Sequence, residues 1–71
     1  MTEATTLAAA AGSPDPEKGL RAVLALRRLL ERLEALQVAN ARRQGWSWQA
    51  IADSLDVSKQ AVHKKHTRSE R

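Results

Sequence analysis

Apolar residues recur along this chain with the period of a helix, and in one stretch that period starts twice, each time at a serine. Between Trp46 and Leu55, the residues Trp48, Ile51, Ala52 and Leu55 fall at i, i+3, i+4 and i+7, which stacks them on one face of a helix of about two turns. Ser47 stands at the N-cap position, with Trp46 before it and Ile51 after it placed as a hydrophobic staple. The arrangement repeats with Val57, Ser58 and Val62. Two capped starts so close together leave only Leu55 to Val57 for the corner between two short helices. Small Ala52 suits a close helix crossing, and Leu55, Val57 and Val62 are expected to close the core.

A second, longer pattern precedes this one. Asp15 can cap, Pro16 fits the first helical position, and Glu17 meets the positive end of the helix dipole. From there helical periodicity continues to Gln44, where Gly45 supplies a C-terminal stop. Such a helix has about 29 residues and a length of roughly 43 Å. Ala22, Val23, Leu26, Leu29, Leu30, Leu33 and Leu36 gather on one side of it, while Arg28, Glu31, Arg32 and Arg42 lie away. Ala22, Leu26, Leu29, Leu33, Leu36 and Asn40 alternate spacings of four and three, as in a coiled-coil seam. Two helices of at most about 18 Å each cover only the end of a rod this long. The uncovered leucines therefore predict a homodimer through residues 20–40, against the alternative of a helix that bends back near Val38 to Asn40 into a monomeric bundle.

The ends of the chain offer less. Residues 1–14 combine Thr, Ala and Gly with a single Leu7 and read as a flexible arm, with a nascent helix over the alanines as the alternative. Residues 68–71 are expected to fray. Glu3 replaces the basic start of a secretory signal, the following apolar run is too short, and no stretch has membrane-spanning length, so a cytoplasmic location is expected. At 71 residues without cysteine, the chain allows one small domain unreinforced by disulfide or thiolate-bound zinc. With aromatics limited to two tryptophans and no strand candidate, the expected fold is all-α: a long N-terminal helix over 15–44, then a helix-turn-helix over 46–67 with no wing.

Charge changes the picture more than composition does. The net charge of +4 is not spread evenly. Up to Ala41, Lys18, Arg21, Arg27, Arg28 and Arg32 are cancelled by Glu3, Asp15, Glu17, Glu31 and Glu34. Beyond it, Arg42, Arg43, Lys59, Lys64, Lys65, Arg68 and Arg71 outnumber Asp53, Asp56 and Glu70. The excess sits where the two short helices are, so that end attracts a polyanion.

Trp48, Ile51, Ala52, Leu55, Val57, Ser58, Gln60, Ala61 and Val62 together resemble the helix-turn-helix superfamily of bacterial DNA-binding proteins, most closely the compact type of sigma-factor region four and invertase-like recombinases. The resemblance covers some twenty residues. It departs from the pattern at Asp56, where such corners often carry glycine, although Asp tolerates the left-handed conformation better than most residues. What the resemblance implies is a small bacterial transcriptional regulator that binds double-stranded DNA as a dimer and sets its second motif helix in the major groove.

On that second helix, Val62 faces inward, leaving Ser58, Lys59, Gln60, His63 and Lys64 as candidate base contacts. Gln60 can pair bidentately with adenine, and the lysines can reach guanine or phosphates. Arg42, Arg43, Ser47, Lys65 and Arg68 are candidate backbone contacts. The likeness to sigma region four supports an alternative, a module that docks on RNA polymerase or a sigma-type partner. His63, His66 and Glu70 share one helix side by spacing, but Lys64 and Lys65 oppose a cation there, and no metal is expected. Without a nucleophile supplied with base and orienting group, and without a glycine-rich phosphate loop, neither catalysis nor a cofactor or small-molecule ligand is expected.

Overall fold

The computed structural model describes residues 2–67. They form four helices, α1 (Glu3–Ala11), α2 (Pro16–Arg43), α3 (Trp48–Leu55) and α4 (Lys59–Thr67), and no strand occurs among the described residues. The class is all-α, as expected. The chain divides into two compact units, one up to Leu33 and one from Glu34 onward, with α2 contributing to both.

In the first unit, the segment read from sequence as an arm carries α1. Thr2 supplies what the arm reading overlooked, a cap: its hydroxyl accepts from the Thr5 N–H at 3.2 Å, ahead of an alanine-rich run of high helix propensity. The start of α2 follows its local chemistry, since Asp15 Oδ1 accepts from the Glu17 N–H at 3.1 Å and Glu17 pairs with Arg21 at 3.2 Å. Gly19 is buried, and a Cβ placed there would meet the Ala11 carbonyl at 3.4 Å and that of Ser13 at 3.6 Å. The end of α1 thus lies against the first turns of α2. Ala22 is buried as well, so it is covered by its own chain and drops out of the expected dimer face. Val23, Leu30 and Leu33 are exposed, and Leu26 and Leu29 are half-buried.

The second unit contains the end of α2 with α3 and α4. Its core is Val38, Ile51, Ala52 and Val62, with Ala41 and Trp48 packed against it. Both corners end a helix in the same manner. At the end of α2, the Trp46 N–H donates to the Ala41 carbonyl and the Gly45 N–H to that of Arg42, each at 3.0 Å, with Gly45 at φ 89°. At the end of α3, the Val57 N–H donates to the Ala52 carbonyl at 3.0 Å and the Asp56 N–H to that of Asp53 at 3.3 Å, with Asp56 at φ 57°. These are Schellman closures, and Asp56 takes the left-handed position that glycine takes at the first. Ser47 and Ser58 cap as expected, accepting from Ala50 at 3.0 Å and Ala61 at 3.1 Å.

Two residues assigned to this core are not in it. Leu55 and Val57 remain exposed, because none of the described helices of this unit covers the end of α3 or the outside of the corner. They border shallow grooves instead: Leu55 and Val57 lie beside Val62 in one, and Leu55 faces Val38, Ala41 and Trp46 in another of about 270 Å³. Trp46, placed as the staple partner of Ile51, is exposed on the wall of the larger groove.

Candidate nucleic-acid interface

The face of α4 follows from which of its side chains are buried. Val62 and His66, one turn apart, point into the unit, and all of Lys59, Gln60, His63 and Lys64 are exposed. At about 100° per residue, Gln60 and Lys64 lie within about 20° of the pole opposite Val62, flanked by His63 on one side. Among the described residues, Lys59, Gln60 and Lys64 make no hydrogen bond or ion pair, so their donors are available to a ligand. Ser58 is exposed too, but its oxygen is committed to the Ala61 N–H, which leaves only the hydroxyl proton to offer. The same holds for Ser47, whose oxygen caps α3.

His63 is held from one side. Its ring meets Trp48 edge-on, with centroids 5.1 Å apart and planes at 86°. Trp48 in turn carries the Arg42 guanidinium 4.8 Å from its ring centre, and Arg42 also donates to the Trp46 carbonyl at 2.8 Å. Arg42 therefore joins the end of α2 to the entry of α3, a structural role beside the expected backbone contact. Arg43 approaches Asn40 Oδ1 at 3.5 Å, and Gln44 donates to the same oxygen at 3.2 Å. Asn40 thus serves the helix end locally.

Lys65, also expected to contact the backbone, has an ion-pair partner within the chain. It is exposed on one flank of α4, about 60° from Val62 as Lys59 is on the other flank, and its ammonium is 2.9 Å from Glu34 Oε2. His66 Nε2 reaches that same oxygen at 2.7 Å. The hydrogen bond from Lys65 holds the Glu34 carboxyl below its ordinary value of 4.5 despite partial burial, with His66 acting in the same direction. Spacing along α4 grouped His66 with His63 and Glu70 and did not pair it with Glu34. The signal was there in the two helix faces: Glu34 precedes buried Val38 by one turn, and His66 follows buried Val62 by one turn.

The two imidazoles are separated by this geometry, His63 against Trp48 and His66 against Glu34, so the shared helix side seen in the spacing is not a shared site. Arg68 and Glu70, the latter the third member of that spacing, lie outside the described residues. No helix among the described residues is long and apolar enough to cross a membrane. Comparison with protein-family models, with curated proteins and with solved structures finds no match. The chemistry of the α4 face is therefore the guide to function: two ammonium groups, one carboxamide and one imidazole on a convex rod.

Proposed function

We propose that this chain is a small helix-turn-helix transcriptional regulator that binds double-stranded DNA sequence-specifically, with α3 and α4 as the motif and α4 in the major groove. The observation that carries the proposal is the outer pole of α4, where Gln60 and Lys64 point away from Val62 with unpaired donors and His63 stands beside them. At nine residues, α4 is about 13 Å long, and a helix about 10–12 Å across with its side chains fits a groove about 12 Å wide. Gln60 is the adenine reader and Lys64 the guanine or phosphate donor, with Lys59 near the N-terminus on phosphate. The protein acts in the bacterial cytoplasm at promoters, without a wing and without a small-molecule sensor.

The test is binding to duplexes recovered by selection from random DNA. Gln60→Ala removes a bidentate contact and should weaken the selected duplex by about 1–3 kcal/mol while leaving a scrambled duplex unchanged. His63→Ala should follow, with a small loss of fold stability because Trp48 loses its edge contact. Equal affinity of Gln60→Ala and the parent for the selected duplex rejects the assignment.

The dimer rests on a separate observation. Leu30 is 62% exposed and Leu36 60% exposed, with Val23 and Leu33 also open on α2. Each such side chain forfeits about 1.5–3 kcal/mol of burial when left in water. A second copy is the simplest cover, and it places two α4 helices for successive major grooves. Light scattering after size exclusion at micromolar concentration should give twice 7.8 kDa. A sharp monomer peak removes the dimer.

One observation favours a second reading. The groove bordered by Val38, Ala41, Trp46, Ile51 and Leu55 is apolar and open, as a docking site for RNA polymerase or a sigma-type partner would be. A folded protein that retards no duplex at low salt leaves that reading in place of the first.

A further inference from the structure

Three lysines lie on α4, and they do not stand in equivalent surroundings. Lys59 and Lys64 are exposed without an ion-pair partner among the described residues, whereas Lys65 is held at 2.9 Å by Glu34 of α2. The carboxylate that holds it is itself fixed, because its Oε2 also meets the Nε2 of His66 at 2.7 Å, and His66 is only 7% exposed. A buried ring on α4 and a glutamate on α2 thus form an anchored negative charge beside one lysine.

Resting on the DNA-binding reading, we propose that Glu34 is a charge-masking residue: anchored by His66, it withholds Lys65 from the DNA backbone, so that α4 offers phosphates two lysines instead of three. The Lys65 side chain is half exposed, so a phosphate reaching it would compete with Glu34 for its ammonium, and the partly buried carboxylate would lose part of its strongest partner, which opposes the exchange. The depressed carboxyl pKa keeps that carboxylate ionised at neutral pH, so the mask is present under binding conditions. Lys65 then releases no counterion when the protein binds, and the salt dependence of binding is shallower than the lysine count suggests.

A double-mutant cycle between Glu34 and Lys65 reads this out, using a scrambled duplex titrated between about 50 and 200 mM salt, the range over which phosphate contacts dominate affinity. Lys65→Ala in the parent should leave the slope of log affinity against log salt unchanged. Glu34→Gln, which keeps an oxygen for His66 while removing the charge, should steepen the slope by about 0.9, one phosphate's worth. Glu34→Gln combined with Lys65→Ala should return it to the parent value. Glu31→Gln makes the same change of net charge at an exposed acid of α2 and should leave the slope where it was. A loss of about 0.9 from Lys65→Ala alone overturns the mask while leaving DNA binding intact. A steepening in Glu34→Gln that Lys65→Ala fails to reverse does the same. Absence of duplex binding by the parent overturns both readings together.

Discussion

Ala52→Leu is expected to abolish the cooperative melting of the second unit near room temperature, the largest effect on stability of any single change in this chain. Ala52 has no exposed surface, its neighbours in the core are Val38, Ile51 and Val62, and its carbonyl takes the Val57 N–H that closes the corner. Three added carbons have nowhere to go without separating α3 from α4 or breaking that closure. Overpacking of this kind costs about 1–3 kcal/mol in cores able to shift, and more where they cannot. A domain of this size has about 3–5 kcal/mol to lose. Circular dichroism and tryptophan fluorescence should report the loss together, because Trp48 packs on the same core. Ala52→Ser, which adds one atom, should lower the midpoint without removing the transition. An unchanged melt for Ala52→Leu would mean that the two helices do not cross at this residue.

That closeness was readable from the sequence because it is local in consequence: an alanine between Ile51 and Leu55 on an apolar face has few explanations besides a near neighbour. Caps were equally legible, since Ser47 and Ser58 act on N–H groups three residues away. Asp56 could be placed at the corner from its tolerance of positive φ, and it stands there at 57°. What periodicity does not reveal is whether anything lies opposite a face. Leu55 and Val57 are on apolar stripes, yet both are exposed among the described residues.

The Glu34–His66 contact was hidden for a related reason. It joins residues 32 apart in sequence, and only the packing of α4 on α2 through Val38 and Val62 brings them within reach. Once that packing is known, Lys65 follows as the next side chain round the helix. The same packing gives Arg42 a structural task, because its guanidinium is engaged with Trp48 and with the Trp46 carbonyl. The basic character of this end of the chain is thus a mixture of cations that hold the fold and cations that face outward. Net charge counts both alike.

Reversing the outward set should separate the two kinds. Lys59→Glu combined with Lys64→Glu is expected to lower affinity for any duplex about a hundredfold or more, since each change removes an attraction to phosphate and installs a repulsion costing several kcal/mol at contact. Fold stability should move by no more than about 0.5 kcal/mol per site, because both side chains are exposed and unpaired among the described residues. A glutamate at position 59 meets the positive end of the α4 dipole and one at 64 meets the negative end, so these terms oppose one another. Arg42→Glu should behave in the opposite way, melting earlier because Trp46 and Trp48 lose their partner. Gel retardation and thermal melting on the same preparations distinguish these outcomes. A Lys59→Glu, Lys64→Glu protein that melts like the parent and still retards DNA like the parent would remove α4 from the interface, since a groove-bound helix cannot exchange two ammonium groups for carboxylates without loss.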